Sequence, residues 1–200
     1  MLFRSDSWRG PRTEVVNLKG KLLLPGFHDA HLHPLWGGLG LIECRLNGLP
    51  TPDAYPPAIA AYIQNHPEKA YIQGGGWVHG FFPAGGPRKE MLDAVAPGIP
   101  VLLKAIDGHS AWANSKALEL GGVTVNTPDP PGGLIERDPS TGAPSGTLRE
   151  WSAMTLVERH FPPPSRAEMT AGFRAFQEIA AREGLTAVHD AMTTRPMLEA

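Results

Sequence analysis

Apolar and polar positions along the chain change period several times, and each change marks an element. The run Lys21–Leu24 is interrupted by Pro25-Gly26 and resumes at Phe27. It reads as an early strand that ends at Pro34, because proline cannot extend a ladder and restricts the residue before it. Within it His31 and His33 stand two apart, so alternation puts both imidazoles on one face and Leu32 on the other. Trp36 to Gly40 is rich in glycine and predicts a loop. A helix follows over 58–65, ahead of Pro67, then a short strand at 71–73 that runs into Gly74-Gly75-Gly76-Trp77. Pro87 suits a first helical turn, so a helix is expected over 89–95, stopped by Pro97-Gly98. Val101–Ile106 is apolar except for Lys104 and predicts a strand covered on both faces.

The turn Asp107-Gly108-His109-Ser110 leads to a helix over 114–120 that Gly121-Gly122 ends. Leu134–Arg137 and Gly146–Arg149, around Pro139–Gly142, predict a hairpin with a longer loop. Ser165 and Glu168 form a capping box for a helix over 166–183, whose apolar positions Met169, Phe173, Phe176, Ile179 and Ala180 recur at helical spacing. Gly184 ends it. Leu185–Asp190 is then expected to be a buried strand, with the helix as connector of a parallel sheet. Strand and helix alternate, so the class is α/β.

Composition narrows the function classes. Two hundred residues, 42% hydrophobic and 19% charged, suffice for a buried core without metal or disulfide staples. With 18 basic against 20 acidic groups the net charge of −2 provides no polybasic footprint, which argues against a nucleic-acid partner. The single cysteine, Cys44, has no internal disulfide partner and no sign of an activated thiolate, and a reducing, cytoplasmic setting is expected. No apolar run reaches the length of a membrane span, and the first twenty residues carry no signal-peptide core. The 23 glycines and 21 prolines are spread as turn punctuation and not gathered in one tract.

The strongest chemical constellation is His31-x-His33 at a strand end, with Asp29 just upstream. Two imidazoles on one strand face can converge on one divalent ion, and a strand end holds them rigidly. The bland alternative is a pair of half-exposed histidines at a strand terminus. Asp107 and His109 either reach substrate or brace their own turn through backbone hydrogen bonds. Trp77 is either a pocket wall or core packing. His189-Asp190 is either a pair behind the metal ligands, with Asp190 orienting an imidazole, or a cap for the next helix. Glu136, Arg149 and Glu150 read as solvated hairpin charges, and His28, His66, His79 and His160 have no supporting partners. No G-x-S-x-G elbow, Walker loop or dinucleotide fingerprint is present, and Pro34-Leu35 after His33 departs from a metallo-β-lactamase pattern.

Leu24-Pro25-Gly26-Phe27-His28-Asp29-Ala30-His31-Leu32-His33-Pro34 resembles the signature that opens the barrel of the amidohydrolase superfamily. Gly75-Gly76-Trp77, the stretch 107–118 that begins Asp107-Gly108-His109-Ser110, Pro131-Gly132-Gly133, Gly146–Glu150 and Gly184–Asp190 are similar to amidohydrolase family 3, the branch with N-substituted formamide deformylases. The resemblance runs from about residue 15 to the C-terminus. It implies part of a TIM-type (β/α)8 barrel with one or two divalent metals, zinc by ligand type, at the C-terminal strand ends. It further implies metal-dependent hydrolysis of a non-peptide C–N bond in a small amide-type substrate. His31 and His33 are then first-strand metal ligands, with Asp29, His189 and Asp190 behind them and Asp107, His109 and Trp77 toward substrate. The other ligands, and an aspartate that moves a proton to the leaving nitrogen, come from later strands.

The implied organisation is a remnant of a β-sandwich over 1–24, with its strand at 15–24, and the first barrel strand with its metal loop over 25–39. An inserted α/β subdomain over 40–150 then sits above the barrel mouth, and barrel continuation follows over 151–200. Ala200 falls inside an apparent helix, so the chain is expected to be a fragment with little turnover alone. The rival expectation is a non-catalytic piece, a binding or assembly module with exposed strand edges; oligomerisation is compatible with either.

Overall fold

The computed structural model describes residues 8–199; residues 1–7 of the expected segment 1–24, and residue 200, lie outside them. In chain order the elements are β1 (Phe27–Leu32), α1 (Pro34–Ile42), β2 (Cys44–Arg45), α2 (Tyr55–Asn65), β3 (Ile72–Trp77), α3 (Lys89–Asp93) and β4 (Val101–Ala105). Then come β5 (Ser110–Ala113), α4 (Ser115–Leu120), β6 (Leu134–Arg137), β7 (Pro144–Arg149), α5 (Glu150–Glu158), α6 (Arg166–Arg182), β8 (Leu185–Asp190) and α7 (Arg195–Leu198). The strands form two sheets, a parallel pair β1-β8 and a six-stranded sheet in the order β2-β3-β4-β5-β7-β6. Pairing is parallel from β2 to β4 and antiparallel from β4 onward, so the larger sheet is mixed and the class is α/β.

Alternation along β4 and β5 divides the interior of the large sheet. Val101, Leu103 and Trp112 enter one core with Ile59, Ile72, Trp77 and Leu92, while Leu102, Ala111 and Ala113 enter the other with Leu118, Leu148, Met154 and Val157. Both faces of the central strands are therefore dry, as the apolar run predicts over Val101–Ala105, with Lys104 partly exposed; Ile106, expected in the strand, lies past its end and is exposed. Asn114 joins α4 to this sheet. Its Oδ1 accepts from Val101 N–H and Ala117 N–H, and its Nδ2 donates to the carbonyls of Ala96 and Ile99, so a fully buried amide is satisfied at every position.

Three expectations need correction. The glycine-rich stretch 36–40 is not a loop but the body of α1, because a Cβ at Gly38 would lie 2.0 Å from the carbonyl oxygen of Gly172. The glycines let α1 and α6 approach backbone to backbone, a tertiary reason that outweighs local propensity. Residues 15–24 form no strand: Val15, Val16, Leu22, Leu23 and Leu24 are exposed and no neighbouring strand among the described residues offers a ladder. Strand β8 forms where expected and pairs with β1 in parallel, but it is largely exposed, because a two-stranded ribbon covers neither of its own faces. The box at Ser165 and Glu168 closes in both directions and starts α6 as predicted.

Candidate functional site

The end of β1 brings His31 and His33 together. An irregularity in the β1-β8 ladder falls between Asp29 and Leu32, and the Asp29 Oδ1 accepts the backbone N–H of His31 at 2.9 Å. His33 lies just past the strand as the N-cap of α1, with Pro34 in the first helical turn. The two rings stand edge to face with centroids 5.4 Å apart. The Nδ1 of His33 is buried and lacks a hydrogen-bond partner among the described residues; Asp190 Oδ1, at the end of β8, faces it at 3.6 Å. Burial pushes the Asp190 carboxyl up, but the Met192 N–H, the Thr193 side chain and His33 outweigh it, and the group is held below the usual carboxylate range. His189 is exposed on the same strand, its side chain without hydrogen bond or ion pair among the described residues.

As a donor set, two imidazoles, one of them with its buried Nδ1 turned to a carboxylate, fit one side of a divalent metal site. They do not complete it: no group of three or more His, Cys, Asp or Glu among the described residues could hold an ion.

A second cluster lies on the rim of the large sheet, around a cleft of about 380 Å³ lined by His79, Phe82, Asp107, His109, Arg149 and Glu150 among others. Gly108, at φ +76°, makes the tight turn after β4, and Asp107 Oδ1 accepts the His109 backbone N–H at 2.9 Å, so the aspartate does brace its own turn. Its Oδ2 also faces His79 Nε2 at 3.2 Å. Burial tends to raise the Asp107 carboxyl, but the His109 N–H and His79 hold it below the ordinary value. His109 Nδ1 lies 3.0 Å from Glu150 Oε2, and this carboxylate raises the imidazole above its usual value.

Trp77 is fully buried in the core with its indole N–H donated to the Leu103 carbonyl, and it backs the cleft through the rings of His79 and Phe82, at 4.6 and 6.0 Å. His79 and Glu150 are the residues that sequence reasoning passed over. Glu150 lies 41 positions from His109, and His79 lies 28 from Asp107, so no local spacing joins either pair. The usable signal for Glu150 is its place immediately after a strand and before the helical spacing of Ala153, Met154 and Val157. Arg149 and Glu136, expected as solvated charges, form a half-buried ion pair with each other. Cys44 is buried, and burial pushes its thiol up to about 12, which keeps it inert.

A row of aromatic rings leads from His33 to the start of α5. His33 lies 5.4 Å from Trp36, Trp36 lies 6.2 Å from Trp151, and Trp151 immediately follows Glu150. Lys104, paired with Glu158 at 2.6 Å, sets its Nζ 5.3 Å from the centre of the Trp151 ring. No helix among the described residues is long and apolar enough to cross a membrane.

The chain is 38% identical over 90% of its length to Protein LONG AFTER FAR-RED 3 of Arabidopsis thaliana, and 34% identical over 94% to an N-substituted formamide deformylase of Arthrobacter pascens. It spans about a third of each relative, 31% and 36% respectively. An uncharacterized metal-dependent hydrolase of Pyrococcus horikoshii OT3 shares the fold over 88% of this chain and 32% of its own, with a TM-score of 0.57 at 21% identity. The amidohydrolase family model matches residues 14–200, and the chain belongs to that family.

Proposed function

We propose that the protein hydrolyses a non-peptide C–N bond in a small amide-type substrate, with His31 and His33 holding a divalent metal, zinc by the chemistry of two imidazole donors. The observation that carries this reading is the convergence of the two rings at the end of β1, with a buried His33 nitrogen facing Asp190. A divalent cation there supplies Lewis acidity toward an amide carbonyl and makes water nucleophilic at neutral pH. Asp190 favours the His33 tautomer that carries its proton on Nδ1, which leaves Nε2 as the donor atom. Asp29 fixes the backbone at His31, and so the direction in which that ring leaves the strand. His109, on a turn that Asp107 braces, meets the substrate from the side of the large sheet.

In this reading β1 and β8 are neighbouring strands of a (β/α)8 barrel, and the unit built on the six-stranded sheet is an insertion above its mouth. The parallel β1-β8 pairing, across a gap far longer than one helix, supports that arrangement. Further metal ligands then come from strands beyond this third of the relatives' length.

The test is metal analysis and amide turnover of the full-length protein beside a His31→Ala, His33→Ala double variant. Loss of bound metal and of turnover in the variant is expected. Equal metal content and equal turnover in both would refute the assignment.

A further inference from the structure

Tryptophan is used in two ways in this chain. Trp77 and Trp112 are fully buried and donate their indole N–H groups to backbone carbonyls. Trp36 and Trp151 instead lie 6.2 Å apart with their rings tilted by 39°, and they remain 41% and 46% exposed. Neither indole N–H has a partner among the described residues. Two adjoining indoles left half in water forgo much of the apolar area that such side chains can bury.

Both rings are held from outside the pair. Trp36 occupies the first turn of α1, directly after Pro34, and α1 is fixed by its backbone contact with α6 at Gly38. Trp151 lies in the first turn of α5, and the Lys104 ammonium, itself paired with Glu158, sits over its ring. The surface beside them is bare. Gly40 stands one helical turn after Trp36 on the same face, and a Cβ there or at Gly37 would meet none of the described residues within 4 Å. Packing among the described residues therefore does not demand these two glycines, unlike Gly38, and they leave an open shelf along α1 despite their poor helix propensity. The pair also continues the candidate metal site, since the His33 ring lies 5.4 Å from Trp36 at a tilt of 35°.

We propose that Trp36 and Trp151 are specificity-determining residues, a stacking platform that binds a flat aromatic group of the amide substrate beside its scissile bond. This inference rests on the hydrolase reading and names the class of amide, one that carries an aryl group on a short arm. The occupant follows from continuity: the row of rings begins at a proposed metal ligand, so a group lying on the row lies next to whatever His33 helps to hold. An aryl ring laid on the indoles gains offset and edge contacts that a saturated ring of the same size cannot make, and the shelf at Gly37 and Gly40 leaves room for its rim.

The test compares flat with puckered rings in the full-length, metal-loaded protein. One pair of substrates is the acetamides of phenylethylamine and cyclohexylethylamine; the other is the methylamides of phenylpropanoic and cyclohexylpropanoic acid. The ring stands too far from the C–N bond to alter its reactivity, so the ratio of kcat/KM within a pair reads recognition of the ring. At least one pair should favour the phenyl member, by roughly three- to tenfold, and which pair does so tells whether the platform serves the acyl or the amine side. Trp36→Leu and Trp151→Leu keep apolar bulk and should each bring that ratio toward unity, whereas Trp36→Phe and Trp151→Phe keep a flat ring and should retain most of it. In the metal-free protein the favoured phenyl amide should shift the indole N–H resonances of Trp36 and Trp151, assigned by their loss in the Leu variants, a readout that needs no turnover.

A wild-type ratio near unity in both pairs, or a ratio that survives both Leu substitutions, would overturn the proposal. So would indole signals that do not move, the result expected if the rest of the full-length chain covers the two rings. The hydrolase reading fails by a different result, cleavage of none of these amides while the indole signals still move, and the platform would then stand as an aryl-binding site without the cleavage.

Discussion

The six-stranded unit and the β1-β8 ribbon handle the same physical problem differently. The central strands of the first are covered on both faces by helices, and its buried polar groups, Asn114 above all, are matched donor for acceptor. The second has two strands, leaves Phe27 54% and Val188 39% exposed, and is held to the chain by the close contact of α1 with α6. The candidate site groups are divided along the same line. His31, His33 and Asp190 stand on the ribbon, while the paired groups His79-Asp107 and His109-Glu150 stand on the rim of the covered sheet. The covered unit thus fixes side-chain geometry by itself, whereas the ribbon's geometry depends on what packs against it.

The sharpest way to break this comparison is to hollow out the covered unit. Trp112 is fully buried in β5, touches Phe82 in the core and donates its indole N–H to the Arg88 carbonyl at 3.0 Å. Trp112→Ala removes the largest side chain of that strand and its bond to the Arg88 carbonyl, which keeps only the Met91 N–H, for an expected loss of about 3–5 kcal/mol. Hydrogen exchange should then show protection lost across β3, β4, β5 and β7 before α6. Simultaneous loss in α6 would mean that the two regions unfold as one and that the contrast is only one of exposure.

A smaller effect, of opposite placement, is expected at the helix pair. Gly38→Ala sets a methyl group 2.0 Å from the Gly172 carbonyl oxygen, a clash with backbone that no side-chain rotation relieves. Separation of α1 from α6 should cost about 1–3 kcal/mol. The exchange signature is faster exchange in α1 and α6 with β4 and β5 unchanged. Because His33 is the N-cap of α1, the proposed metal site predicts that metal affinity of the full-length protein falls as well, with both proposed ligands unchanged.

How much of this could be read in the sequence follows the same division. Elements whose cause is local were legible: the capping box that starts α6, the apolar run of β4, the hairpin of β6 and β7, and a break at Pro34, although β1 already ends at Leu32 and Pro34 opens α1. The helix of Gly37, Gly38 and Gly40 was not, since its cause is a partner helix some 130 residues away. Nor was β5, four residues wedged between a turn and a helix and stabilised by β4 and β7 on either side. The exposure of β8 eluded the pattern because apolar composition reports what a strand can bury, and burial is decided by neighbours. At the site, His31 and His33 stood out by spacing, as did Asp107 and His109, whereas His79 and Glu150 are recognisable only once the sheet has folded and brought them to their partners.

The finest probe of the comparison is the seam itself, where Glu168 of α6 meets Lys69 of the covered unit at 3.5 Å. The Glu168 Oε2 accepts from the Ser165 N–H and hydroxyl, each at 2.8 Å, and these bonds, more than Lys69, hold its carboxyl below the ordinary range. A carboxyl depressed on folding stabilises the native state fully above its unfolded value, and that contribution is lost as pH falls through the folded value. Glu168→Gln retains an acceptor for the capping box and removes only the charge. The side chain is 39% exposed and the ion pair is solvent-screened, so the wild-type advantage at neutral pH should be about 1 kcal/mol or less. Paired urea melts should show that advantage constant at neutral pH and closing in acid below the usual glutamate range. A difference independent of pH would show that the seam is held by packing and not by this charge.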